Sequence, residues 1–413
     1  MLRIQNAILF RLLQSVWPTG LAALFLCGAA CLQVVGQGLV SDTGAIQLRG
    51  ASFASIHAKA SAGESLRIVS LGGSITQNGR GHTGLIPEWF RKRYPGTEVI
   101  GVNAGLSSTC SHTGAFRMDS VISDNTPIDL LVVEYAVNDD QDAGHNYAEA
   151  VRGMEGIVRR AQKEGIAIIM VLYVNEHLLE TVQEGKQGTS LRAHRAVADH
   201  YGIPSVDVVI ALAAAIDSGT MNWKQYGGVH PGGDGYAFVT GMVTDALKSL
   251  LKSPSAADSN PPIPSLDPHN YSRARWSAPS DADFQGDWLH GHPTRESLPL
   301  GGIRKDYLEY PLARSDAPGA RLRFQFEGNA VGAFVLSGPD AGSILVSIDG
   351  RSPREIDLFH RYSKGLNYPR MIVFAEGLEQ GCHTLDLEIS ETHHSESVGH
   401  AVNILYLGVN GKQ

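Results

Sequence analysis

Cysteine is scarce in this chain of 413 residues: there are four, and two of them, Cys27 and Cys31, sit in an N-terminal apolar stretch. If that stretch is removed only Cys110 and Cys382 remain, and for two thiols so far apart in sequence both pairing and independent reduced states are open. Long runs of one charge are also missing. The 34 Lys and Arg against 42 Asp and Glu give a net charge of −8 without a like-charged block, so composition supports neither nucleic-acid binding nor a polybasic membrane patch. No internal repeat is visible. What is present is apolar: 43% hydrophobic against 18% charged residues, in a chain long enough to bury a large core and to form two domains.

Arg3 and Arg11 precede "WPTGLAALFLCGAACLQVVGQ", whose apolar run and small Gly36 before Gln37 fit an export signal cleaved near residue 36. Residues 1–37 are read as a signal peptide or an N-terminal anchor, because residues 17–36 are nearly long enough to cross a bilayer uncleaved. A lipoprotein reading of Cys27 or Cys31 lacks the usual Leu-small-small run before the cysteine. The expected location is secreted or periplasmic, with membrane contact only through this segment.

Residues 38–65 are a lead-in that either joins the following sheet or packs against a second domain. From residue 66 to 252, short apolar runs alternate with amphipathic stretches. "LRIVSLGG", "TEVIGVNAG", "IDLLVVEYAVN", "IAIIMVLYV" and "GIPSVDV" read as parallel strands buried on both faces. Between them "NYAEAVRGMEGIVRRAQKEG" puts Tyr147, Val151, Met154, Ile157, Val158 and Ala161 on one helical face and leaves Arg152, Glu155, Arg159 and Arg160 for the other. The implied fold is α/β, a three-layer flavodoxin-like sheet, in which ligands bind at the carboxyl ends of the strands. Residues 253–268, "SPSAADSNPPIPSLDP", form a linker. Beyond it, residues 269–413 change to a period of two with Gly-containing turns, the pattern of an all-β sandwich.

Four positions fall in strand-end loops of the α/β part. Ser74 follows "IVSLGG", Gly105 follows "EVIGVNA", Asn138 follows "LLVVEYAV", and His230 lies in "YGGVHPGGDGY". Singly each has an ordinary reading: helix cap for Ser74 and Asn138, turn glycine for Gly105, loop histidine for His230. In this order the segments GGSIT, NAGLSS, VND and HP resemble the blocks of the SGNH hydrolases, the GDSL-like esterase superfamily, over roughly residues 66–250. The GGSIT variant is similar to that of bacterial carbohydrate acetylesterases. The resemblance implies Ser74 as nucleophile, His230 as its base, and an oxyanion hole from the backbone N–H of Ser74 or a neighbour, the Gly105 N–H and the Asn138 side chain.

One departure stands out. The family carries an Asp three residues before the catalytic His, and this chain has Gly227 there. In serine proteases, replacing that carboxylate by an amide costs about 10⁴ in turnover through the wrong His tautomer. Either a backbone carbonyl orients His230 in a working dyad, or Asp139, Asp140 or Asp234 substitutes, or the site is weak or inactive. Glu134, inside the third strand, is read as a core or helix-end residue, and Arg117 as a substrate contact or an interdomain ion-pair partner. The histidines of "ETHHSESVGH" lack helical pairing or a Cys partner, so no metal or organic cofactor is implied.

Export, this site and an appended sandwich together suggest a serine esterase acting on O-acyl, foremost O-acetyl, esters of extracellular carbohydrate. An O-acetyltransferase using the same acyl-enzyme, and a glycan-binding scaffold with a decayed site, are the alternatives. Trp276, Trp288, Tyr307, Tyr310, Tyr362 and Tyr368 are either a sugar-stacking platform or sandwich core. No nucleic-acid partner is expected, and the sequence does not fix the oligomeric state.

Overall fold

The computed structural model describes residues 43–254 and 263–412. The export or anchor segment, with Cys27 and Cys31, lies outside the described residues. Among the described residues no helix is long and apolar enough to cross a membrane.

The first part is built on β1 (Ile46–Gln47), β2 (Leu66–Gly72), β3 (Val99–Gly105), β4 (Leu130–Val133), β5 (Ala167–Leu172) and β6 (Ser205–Asp207). They form one sheet in the order β1-β6-β5-β4-β2-β3, parallel except for β1. Parallel strands need crossovers, and amphipathic helices such as His82–Arg93 and Tyr147–Lys163 supply them, so both faces of the central strands are covered. The lead-in therefore joins the sheet: β1 pairs with β6 along the edge. The strands in β2, β4, β5 and β6 are almost wholly buried, as their apolar runs require. Strand β3 departs from that expectation. It is the far edge, and Gly101 and Asn103 face solvent. Because β2 pairs with both β3 and β4, its carboxyl end is the point where the strand order reverses, the usual ligand position in open α/β sheets.

The second part is a sandwich of eleven strands: β7 (Ala274–Ser277), β8 (Asp283–Gln285), β9 (Leu289–Gly291), β10 (Leu312–Ser315), β11 (Arg321–Gly328), β12 (Ala330–Ser337), β13 (Gly342–Ile348), β14 (Arg354–Asp357), β15 (Tyr368–Ala375), β16 (Gly381–His393) and β17 (Val402–Asn410). One antiparallel sheet runs β15-β12-β17-β10-β9, with β7 also on β17; the other runs β14-β13-β16-β11-β8. Strand β12 is buried at every position, because its two faces serve two cores. Val331, Ala333 and Val335 point into the sandwich, whereas Ala330, Phe334 and Leu336 belong to a core continuous with the α/β part. Trp276 stacks on Phe334 and Tyr406 and lies against Phe116 of the first domain, so it is interdomain core. Cys110 is buried and Cys382 exposed, and both are free thiols.

The charged side of helix Tyr147–Lys163 is only partly open to water. Glu155 is fully buried and accepts hydrogen bonds from the backbone N–H groups of Leu266 (2.6 Å) and Asp267 (2.8 Å) and from the Tyr201 hydroxyl. Arg152 reaches Asp267 at 3.0 Å and pairs with Glu376 of β15's loop. This face holds the incoming end of the linker, which a helical wheel cannot reveal. Glu155→Ala would take the acceptor from two partly buried N–H groups, at about 1–3 kcal/mol for the pair. Calorimetry should show a melting temperature several degrees lower; an unchanged value would remove Glu155 from this role.

Candidate active site

The site begins with a backbone that leaves no room for side chains. After β2 the chain turns through Gly73 into the short helix Ser74–Gln77. Gly73 has φ −87°, which any residue can adopt, so the two glycines are not there for a left-handed turn. Space decides. A Cβ on Gly72 would overlap the carboxylate of Glu134 and the hydroxyl of Thr76, and one on Gly73 would overlap the side-chain amide of Asn138. The same holds for Gly105, whose Cβ would strike the backbone of Thr76 and Gln77. Its small size thus serves the packing of the Ser74 helix against β3.

Glu134 follows β4 and is fully buried. Its Oε1 accepts from the Gly73 N–H at 2.9 Å and from the Thr76 hydroxyl at 2.6 Å, which ties both ends of the serine turn to the neighbouring strand. Glu134 thus lies just beyond the strand rather than inside it, buried and bound to the N-cap residue of the Ser74 helix. Burial pushes its carboxyl up to about 7, against the two hydrogen bonds that favour the ion. Behind it His82, held near 4 by burial, contacts the Tyr173 hydroxyl at 2.9 Å.

Ser74 Oγ lies 2.8 Å from His230 Nε2, across 156 positions of sequence. His230 is exposed, and Ser74 is half-buried at the carboxyl end of β2. Among the described residues Ser74 is the hydrogen-bonding partner of His230, and no carboxylate reaches the ring. The three proposed substitutes are placed elsewhere. Asp139 is buried and accepts from the Ser111 N–H (2.8 Å), the Ser111 hydroxyl (2.7 Å) and His194 (2.9 Å). Asp140 holds Asn175 and His177, each at 3.0 Å. Asp234 sits in the first turn of helix Gly233–Leu250, where its charge favours the helix start.

Gly227 explains why the usual carboxylate is missing. It ends the helix Trp223–Tyr226 with φ 105°, in the left-handed region, and a Cβ there would overlap the backbone nitrogen of Gly232. The loop that carries His230 is folded too tightly on itself for any side chain at this position.

The oxyanion candidates stand around the same point. The Ser74 N–H is at a helix start, where the helix itself does not use it. Asn138 is buried and opens the π-turn Asn138–Asp142; its Nδ2 donates to Asp142 Oδ2 at 2.6 Å, and its Oδ1 occupies the space a Cβ on Gly73 would need. The Gly105 N–H is engaged, donating to Asn103 Oδ1 at 2.9 Å, while Asn103 Nδ2 donates to Gln77 O at 3.0 Å. Sequence reading missed Asn103, Thr76 and Asp142, although all lie within a few positions of the block residues. Arg117 is not at this site. Its guanidinium lies between the domains, close enough to Tyr135, Tyr307 and Tyr310 to oppose their raised pKa values, and its Nη1 is buried without a partner among the described residues.

The second domain holds both loops flanking the site. Arg304 donates to the hydroxyls of Ser107 and Ser108, each at 2.6 Å, and the Tyr307 hydroxyl donates to Ser107 O at 2.9 Å. His360 Nε2 lies 3.1 Å from Asp142 O, and Arg361 donates to Gln141 O. Tyr307 and Tyr368 are buried in these contacts, whereas Tyr362, beneath Arg361, is exposed.

Two outcomes follow. Gly227→Asp should lower the melting temperature and leave ester turnover unchanged or reduced, measured with 4-nitrophenyl acetate; a tenfold gain would show that the loop can accept the carboxylate. For Glu134, the folded state keeps its proton between about pH 4.5 and 7, where the unfolded chain has released it, so stability falls as pH rises through that window. The drop in melting temperature across that window should flatten in Glu134→Gln, and an identical slope would refute it.

The sequence model of the GDSL-like Lipase/Acylhydrolase family matches residues 70–238. No curated protein matches the sequence. Among solved structures, a two-domain esterase (CEX) active on acetylated mannans, co-crystallised with mannopentaose, is 19% identical with a TM-score of 0.69, covering 89% of this chain and 99% of that one. The same esterase without mannopentaose gives the same values. At this identity the likeness speaks for the fold, and it extends over both domains. Ser74, Asn138 and His230 thus gather at the strand ends within the residues that match the GDSL-like lipase/acylhydrolase family model, and the domain that carries them is a hydrolase of carboxylic esters joined to an all-β sandwich.

Proposed function

We propose that the protein is a serine esterase that removes O-acetyl groups from extracellular carbohydrate through an acyl-enzyme on Ser74. The 2.8 Å contact between Ser74 Oγ and His230 Nε2 carries this reading. Nε2 accepts the hydroxyl proton as Oγ attacks the ester carbonyl, then returns it to the departing sugar alkoxide. The acetyl group stays on Oγ until water, deprotonated by the same nitrogen, releases acetate. Among the described residues no carboxylate reaches the ring, so this is a Ser-His dyad.

The negative charge that develops on the carbonyl oxygen is met by the Ser74 N–H and by the Asn138 Nδ2 hydrogen not given to Asp142. The Gly105 N–H joins them when the Asn103 side chain turns away on substrate binding. Glu134 positions the turn through Gly73 and does not touch the substrate.

The carbohydrate part of the proposal draws support from the shared two-domain architecture with the mannan-active esterase. Exposed Tyr362, on the sandwich segment that borders the Asn138–Asp142 turn, offers an aromatic face to a sugar ring. Extracellular action rests on the export-type segment at residues 1–37.

The test is acetate release from acetylated mannan and from 4-nitrophenyl acetate by wild type, Ser74→Ala and Asn138→Ala. Wild type should act on both. Ser74→Ala should be inactive, and Asn138→Ala should lose about 10²–10³ in kcat. Full activity in Ser74→Ala would refute the mechanism, and activity on the nitrophenyl ester alone would refute the carbohydrate substrate.

A further inference from the structure

A second cluster of reactive side chains lies behind the Ser74 site and takes no part in its chemistry. Cys110 Sγ, one carboxylate oxygen of Asp139 and one ring nitrogen of His145 all lie within 4.8 Å of one another. Three separated segments bring them together. Cys110 precedes the helix Ser111–Phe116, Asp139 belongs to the turn after β4, and His145 lies in the loop before helix Tyr147–Lys163.

Asp139 and His145 are held in place by their surroundings. Asp139 is held by the Ser111 N–H, the Ser111 hydroxyl and His194. The His145 backbone N–H donates to Asp139 O at 2.9 Å, which lays its ring beside the carboxylate, with Nδ1 3.4 Å from Oδ1. The ring stacks on His112 with centroids 3.9 Å apart, and His112 Nε2 is itself 2.9 Å from Glu149 O.

The observation that points to a ligand is at His145. Its side chain is only 9% exposed, and its Nδ1 is buried with Asp139 Oδ1 3.4 Å away but not placed to make a hydrogen bond with it. A buried polar nitrogen left unpaired is costly and calls for an explanation. The cluster also borders an interdomain cavity of about 570 Å³, lined among others by Ser108, His112, Asp142, Glu149 and Glu376.

We propose that Cys110, Asp139 and His145 bind a zinc ion. One thiolate, one imidazole and one carboxylate form the mixed S/N/O set that zinc accepts, whereas calcium and magnesium would not use the sulfur. Tetrahedral bond lengths of about 2.0–2.3 Å require donor separations of about 3.5 Å, which small side-chain rotations supply. Thiolate and carboxylate together cancel the 2+ charge, so the buried site is electrically neutral. Binding releases the Cys110 thiol proton to solvent, and Nδ1 gives the ion its lone pair. The fourth position faces the cavity and is filled by water or by a donor atom entering from it. Ser111 and His194 then act as the outer hydrogen bonds that orient a ligating carboxylate. The ion would clamp the turn that begins at Asn138 to the start of helix Ser111–Phe116, a structural role next to the site.

The full chain is stripped with chelator and titrated with zinc and with cobalt(II). Expected are one tight ion per chain, a thiolate-to-cobalt charge-transfer band in the near ultraviolet, and a melting temperature raised by zinc. In Cys110→Ala the band and the thermal shift should vanish, and in His145→Gln zinc should bind at least 10-fold more weakly. If Cys110→Ala does not fold, the wild-type cobalt spectrum and zinc protection of Cys110 from alkylation decide. A cobalt adduct without the thiolate band, or equal zinc binding by wild type and Cys110→Ala, would overturn the site and assign the ion to other residues, such as His393 and His400.

Discussion

The contact between the Gly73 N–H and the buried carboxylate of Glu134 is the constraint on which the site rests. A serine hydroxyl is useful as a nucleophile only where its backbone holds it against a base, and here the turn is fixed from the neighbouring strand. The Thr76 hydroxyl meets the same oxygen, so one carboxylate fastens the first and last residues of the serine turn. The glycines at 72 and 73 are a consequence of this closeness, as is Gly105 on the other side. Each marks a surface where two backbones approach with no space for a Cβ.

The second domain extends the same principle to the loops. Arg304 and Tyr307 hold the chain after β3, and His360 and Arg361 hold the turn after β4. Both loops carry candidate oxyanion residues, so the sandwich belongs to the architecture of the site. Its sheet shares a continuous core with the α/β domain through Trp276, Phe334 and Phe116. Separation of the two domains would expose that core and release both loops at once.

The fold class was legible because buried parallel strands write themselves as apolar runs, and β2, β4 and β5 do so plainly. Ser74, Asn138 and His230 were picked out because the segments carrying them, in this order, resemble the SGNH hydrolase blocks. What sequence could not convey is geometry between distant segments. Glu155 reads as part of a solvent face until the linker's end is seen to cover it. Gly227 reads as a lost catalytic residue until its φ of 105° and the nearby Gly232 nitrogen show that the loop excludes every side chain. Arg117 reads as a substrate contact or as an interdomain ion-pair partner, and the helix Ser111–Phe116 carries it to the domain interface, where its Nη1 has no partner among the described residues. The pairing of Asn103 with the Gly105 N–H depends on rotamers, which no pattern encodes.

The central claim is that Ser74, activated by His230 alone, is the nucleophile. The most direct measurement is reaction of the folded protein with a fluorophosphonate, followed by peptide mapping by mass spectrometry. The account predicts one adduct per chain on the peptide containing Ser74, and loss of labelling in His230→Ala. An adduct on another residue, or none with the fold intact, would contradict it.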